Sequence, residues 1–399
     1  MDVGRPELAR LTAGKAIANT ALRWVPFFLP TLAVAFSATT EQLTTILGVG
    51  EMAGLCALLI GRQLDAGRER VVMSGALVLV ACSSLLALSG SLVLFAVSFL
   101  LLIVGVSLYT VGGHTYLSRR VPFHRRGRVI GLFETSWASA LLIGAPLIAL
   151  LINTVGWRGP FVAIAVLSLV MAVVVSRTTD QAGPTLDAMG PNDRRPLTTD
   201  AWRMVFASAA AAMAGLTTIV IAGTWLDDRL GVSTGGVGAV AMAFGLAELS
   251  SSVSSAAFSD RIGKTMSTRA ALGFVLVGLT VMTQAGDSLV VGVIGLLCFF
   301  VGFEYAIVTS FAIVSEAMPD ARGQVLAANT AVGTLARGSG TVASGYLYAE
   351  FGISGPAALS AVAAVAAIML LTSHGRSNAG IAMSQSERGV APGSPTLGS

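Results

Sequence analysis

The sequence predicts an all-α membrane protein with twelve transmembrane helices in two pseudo-symmetric six-helix bundles. Three observations predict it. First, only 12% of the 399 residues are charged, 54% are hydrophobic, and mean hydropathy is +0.79. A soluble domain has about a quarter of its residues charged. Second, the apolar residues gather into runs long enough to span a bilayer, which takes about 20 residues per helix. Third, landmarks of the first half recur in the second at a nearly fixed offset.

The first half is read as spans near 14–36, 43–61, 71–89, 92–116, 129–153 and 159–176. A stretch rich in Pro, Gly, Asp and Arg with no apolar period follows over 177–202 and reads as a linker. The second half is read as spans near 203–224, 233–257, 270–286, 289–316, 324–348 and 355–373. The domains are therefore 1–176, a linker at 177–202, and 203–373. The Ser/Gly/Pro-rich tail from 374 to 399 is expected to be disordered. The 45 glycines suit close helix packing in lipid, where backbones approach through small residues.

Charge orients the chain. Of the 25 Lys and Arg residues, Arg158 and Arg229 fall on one side, and Arg23 and Arg337 fall inside spans. All the others, Lys15 among them, are assigned to the side that holds the N-terminus. The positive-inside rule then expects both termini and the linker in the cytoplasm of a bacterial inner-membrane protein.

The internal repeat rests on four landmarks. Asp65 matches Asp260 and Gly50 matches Gly245, each at an offset of 195. Arg126-Gly127 matches Arg322-Gly323, and Gly159-Pro160 matches Gly355-Pro356, each at 196. An even number of helices per repeat keeps the two halves parallel.

Other classes are poorly served. The basic residues are scattered through short loops, so nucleic acid is not an expected partner. Cys56, Cys82 and Cys298 lie in apolar runs without paired spacing, and His114, His124 and His374 form no ligand cluster. HExxH and a phosphate-cradling loop are absent, so neither an enzyme nor a metal cofactor is expected. The short loops leave little room for a sensor or scaffold domain. The first apolar run is long enough to span and lacks a small-residue cleavage site, so it does not read as a signal peptide.

The loop between the second and third helices of each half resembles a motif of the major facilitator superfamily, G-x-L-a-D-R-x-G-R-R. The second half carries Ala256-Ala257-Phe258-Ser259-Asp260-Arg261-Ile262-Gly263-Lys264. The first half keeps Gly61 and Asp65 but lacks the Arg after the Asp and is one residue short. The resemblance covers about Ala13 to Ser373. It implies the major facilitator fold and a secondary transporter powered by the proton gradient, with no cofactor. Its expected partners are a small-molecule substrate, protons and the lipid bilayer, and it is expected to act as a monomer. It also implies a cytoplasmic latch of Gly61, Asp65, Asp260, Arg261, Gly263, Lys264 and Glu316. Asp65 would meet the N-terminus of the eleventh helix near Gly323, and Asp260 that of the fifth near Gly127. A carboxylate at a helix N-terminus is stabilised by roughly 0.3–2 kcal/mol. Such contacts would favour an outward-facing state. Glu316 is expected to pair with Arg261 or Lys264.

The fifth helix resembles that of drug/proton antiporters in the same superfamily. Gly131, Ala140 and Gly144-Ala145-Pro146 approximate their Gly-rich pattern, with one extra residue before the Pro. The second half has Ala327, Ala336 and Gly340 at the same spacing. The pattern implies drug or metabolite efflux, while plain small-residue packing or an uptake symporter stays open. The fourth helix lacks the Arg those antiporters usually carry.

Six charges fall well inside spans: Arg23, Glu51, Glu134, Glu248, Glu304 and Arg337. A charge at the bilayer centre costs at least about 2.5–3.5 kcal/mol, so these should face the protein interior. Glu51, Glu248, Glu304 and Glu134 are the proton-coupling candidates, since a carboxylate in low dielectric holds a proton more readily. Arg23, Trp24, Asn19, Tyr109, Tyr305 and Arg337 are the substrate-cavity candidates. Trp137, Trp225, Phe27 and Phe303 are neighbours implied by the resemblance. Arg337 is expected to neutralise Glu304 or Glu248. Glu134 lies about 9 Å from its helix end and could instead reach the aqueous edge. His114 reads as a packing or interfacial residue.

Overall fold

The computed structural model describes residues 3–56, 63–64, 66–178 and 196–388. Among them there are helices and no strand. The first half contributes α1 (Arg5–Phe36), α2 (Thr40–Ala53), α3 (Glu69–Ala87), α4 (Leu92–Arg120), α5 (Arg125–Val155) and α6 (Arg158–Thr178). The second contributes α7 (Thr199–Asp228), α8 (Thr234–Ile262), α9 (Lys264–Thr283), α10 (Leu289–Glu316), α11 (Arg322–Phe351) and α12 (Ser354–Arg388).

Local chemistry explains the boundaries. Thr39 and Gln42 form a reciprocal capping box at the start of α2. The side chains of Ser91, Thr198, Ser233 and Ser288 accept the first free N–H groups of α4, α7, α8 and α10. Pro26 and Pro30 withhold N–H groups from α1, and the chain tightens there into a 3₁₀ turn over Pro26–Phe28.

Ten helices among the described residues are long and apolar enough to cross a membrane. The two outside that set are α2 and α11. Only 14 residues of α2 are described, and α11 carries Asn329 and Arg337 among many Gly, Ser and Thr residues. Val34, Val93, Val253 and Val290 are more than two-thirds exposed, an apolar surface that water would not tolerate and lipid does. The protein is a multi-pass membrane protein.

The halves repeat each other. α1 packs on α4, α5 and α6, and α7 packs on α10, α11 and α12. α3 packs on α4 and α6, as α9 does on α10 and α12. A brace recurs with its charges exchanged. Arg119 at the end of α4 holds the buried Glu69 at the start of α3 at 2.6 Å. Glu316 at the end of α10 holds Lys264 at the start of α9 at 2.5 Å.

The halves meet through α2 on α11, α5 on α8, and α7 on the 3₁₀ turn of α1. Their close approaches cluster toward the end of the molecule away from the termini. Gly48 lies against the backbone of Gly338, and Gly223 against that of Phe27, so a side chain at Gly223 would strike the Phe27 carbonyl.

Lys15 lies inside α1, which begins at Arg5, and its side chain is only 2% exposed. The last helix is described to Arg388.

Candidate functional site

The intramembrane charges sort into three clusters, two of which cross between the halves. In the first, the Arg23 guanidinium on α1 donates to Glu248 on α8 at 2.8 Å and to the Trp137 carbonyl on α5 at 2.6 Å. It also stacks over the Trp137 ring, 4.3 Å from the centroid. Both charged side chains are almost closed off, Arg23 at 10% and Glu248 at 6% exposure. Glu304 on α10 is buried beside them and feels the charges of both. It makes no hydrogen bond or ion pair to the described residues.

In the second, Arg337 on α11 pairs with Glu51 on α2 at 3.3 Å and donates to Thr334 Oγ1 one turn back. Arg337 therefore neutralises neither Glu304 nor Glu248. The seam between α2 and α11 lies apart from the one between α5 and α8, where Arg23 already serves Glu248. These two pairs place one carboxylate of each half, the partly exposed Glu51 and the buried Glu248, against a cation of the other half.

The third lies inside the first half. Glu134 on α5 accepts from Lys15 Nζ at 2.5 Å and lies 2.5 Å from His114 Nε2 on α4. Glu134 and His114 are each about 40% exposed, whereas Lys15 is buried over the Phe133 ring. Sequence reasoning put Lys15 at the edge of the first span and counted it with the basic residues on the side of the N-terminus, so it was not listed among the intramembrane charges. The signal available was its spacing: Lys15, Asn19 and Arg23 recur every four residues, on one helix face.

The remaining candidates divide clearly. Asn19 is fully buried and donates to Ser136 Oγ at 3.3 Å. Tyr305 is half-buried against the core next to Glu304. Trp24 and Tyr109 pack against neighbouring helices. Trp24 is buried edge-on to Phe161, and Tyr109 donates to the Leu11 carbonyl, pinning α4 to α1. Phe27, Trp225 and Phe303 are core as well. Trp137 alone of these aromatics presents a face to the charged cluster.

Gly61 and Asp65 of the latch lie outside the described residues. Gly263 turns with φ +91° between α8 and α9, a conformation suited to glycine. Asp260 does not reach the N-terminus of α5. It is 78% exposed and pairs with Lys264 on its own half, at 3.5 Å. Arg261 is exposed. With the halves packed together at the far end, no close approach brings Asp260 to Gly127.

A cavity of about 690 Å³ opens beside this loop, lined by Asp200, Met204, Asp260, Lys264 and Glu316. An apolar groove of about 610 Å³ runs between α2, α7 and α11. Neither is lined by Arg23, Glu248 or Glu304.

Comparison with known proteins agrees with this architecture. The family model of the Major Facilitator Superfamily matches residues 11–341. An uncharacterized MFS-type transporter of Bacillus subtilis (strain 168), YwfA, is 24% identical over 381 residues, covering 90% of each chain. The xylose transporter XylE from E. coli, in an inward-open conformation, superposes with a TM-score of 0.72 at 15% identity, over 90% of this chain and 94% of that one. A bacterial homolog of the human lysosomal transporter Spinster, inward-facing and unoccupied, superposes with a TM-score of 0.71 at 14% identity, over 92% and 93%.

Proposed function

The chain belongs to the Major Facilitator Superfamily, and from that premise we propose a proton-coupled exporter of small molecules that works by alternating access. The observation that carries this reading is the Arg23–Glu248 pair, which joins the two halves beside the buried, unpaired Glu304.

The coupling follows from the charges. With Glu248 ionised, Arg23 is neutralised and α1 is tied to α8. A proton on Glu248 removes that attraction and leaves Arg23 uncompensated in low dielectric, a change of several kcal/mol. Glu304 is held near Glu248 in a site with one cation, so the two carboxylates repel each other when both are ionised. The two halves then rock about this level. Substrate and proton compete for the same polar centre, which is what exchange requires. Export is supported by the Gly-rich pattern of α5, and cytoplasmic termini by the distribution of basic residues.

The test is proton release from purified protein in weakly buffered detergent solution, on adding a panel of candidate drugs and metabolites. Release by some compounds, lost in Glu248→Gln or Glu304→Gln, is the expected result. Compounds that bind, by thermal shift, without releasing protons would overturn antiport and favour an uptake symporter.

A further inference from the structure

Every fourth residue of α1 offers a polar contact to the next helix round. Glu7 accepts from the Tyr116 hydroxyl, and the Leu11 carbonyl accepts from Tyr109 at 3.0 Å. Lys15 reaches Glu134 and His114, Asn19 reaches Ser136, and Arg23 reaches Trp137 and Glu248. A four-residue step overshoots one turn of the helix by about 40°. The stripe therefore winds from α4 to α5 and then to α8.

Lys15 and Arg23 stand about 12 Å apart along the axis, at 1.5 Å per residue. Asn19 and Ser136 fill that interval, and both are fully buried. The side-chain oxygen of Asn19 has no hydrogen-bond partner among the described residues. A buried acceptor left unpaired costs about 1–3 kcal/mol, and a bound water is the usual remedy at a polar site.

We propose that the seam between α1 and α5 is a proton route, in which a chain of waters anchored on Asn19 and Ser136 links the Glu248–Glu304 carboxyls to Glu134 and His114. The proton leaves the Glu304 or Glu248 carboxyl, passes along these waters, and from them to the Glu134 carboxylate. His114 Nε2, in contact with Glu134 and partly exposed, takes it on to the aqueous space on the side of the termini. Lys15 Nζ, 2.5 Å away, fixes the Glu134 carboxylate in place. The titratable groups facing the route are Lys15 on α1, Tyr109 and His114 on α4, Glu134 on α5, Glu248 on α8 and Glu304 on α10, with Arg23 at its inner end.

The route rests on the proton-coupling reading, and one experiment separates the two. The protein in proteoliposomes is given a rapid drop in pH, and the protonated-carboxyl stretch is followed by time-resolved infrared spectroscopy; the proton is the only probe. The signal should vanish when Glu248 and Glu304 are both changed to Gln. In Asn19→Leu with Ser136→Ala its final amplitude should match wild type while its rate falls about tenfold, equivalent to about 1.4 kcal/mol. Ser136→Ala alone, which removes one atom, should slow it in the same direction. Equal rates at equal amplitude would overturn the route alone. A signal that survives the double Gln variant would overturn the coupling reading and the route with it.

Discussion

Removing one member of a buried ion pair strands the other charge, at a cost of about 3–5 kcal/mol, whereas replacing both with apolar groups is often neutral. Arg23 and Glu248, both about nine-tenths buried, fit that case. Arg23→Leu should therefore lower stability in detergent by about 3–5 kcal/mol, and Arg23→Leu with Glu248→Leu should regain most of it. Thermal unfolding of both variants checks this, and equal losses would show that the pair contributes through packing alone. The charges themselves were legible in the sequence, because a charge in an apolar run stands out. Their partners were not. Glu248 meets Arg23, 225 residues away, and Glu51 meets Arg337, 286 away, and only the packing of the two halves selects between such pairs. The surroundings of Trp24 and Tyr109 were hidden for a related reason: an aromatic on a helix carries no mark of whether it faces a cavity or a neighbouring helix.

At the scale of the helix, α5 is irregular where it matters. A π turn spans Ala140–Gly144, beginning three residues after Trp137 and ending two before Pro146. A π turn takes up an additional residue, which accounts physically for the extra residue noticed before the Pro. Its counterpart α11 runs unbroken from Arg322 to Phe351. Deleting Ile143, whose side chain is 59% exposed, should let α5 continue as a regular helix with both ends in register. The variant is expected to melt no lower than wild type yet to lose the pH response of the Glu248–Glu304 carboxyls. A variant with that response intact would show the π turn to be idle. Helix positions were legible because apolar runs, Ser and Thr caps, and prolines act locally. The burial of Lys15 was missed because its partners, Glu134 and His114, lie on other helices, which no local rule reveals.

At the scale of the whole molecule, the repeat of landmarks at 195 and 196 residues became a repeat of contacts, with even the Glu69–Arg119 brace answered by Lys264–Glu316. What no single sequence displays is the relative position of the halves, which a rocking protein changes as it works. Here they meet at the end away from the termini, through Gly48 with Gly338 and Gly223 with Phe27. The central claim is that protonation of the Glu248–Glu304 centre moves this contact. Spin labels on Gln42 and Glu350 report the closed end, and labels on Arg128 and Ala327 the other; all four positions are exposed. Pulsed electron resonance distances should change in opposite senses at the two ends as pH falls, and Glu248→Gln with Glu304→Gln should hold one arrangement at every pH. Distances that ignore pH, or that respond equally in the double variant, would contradict the account.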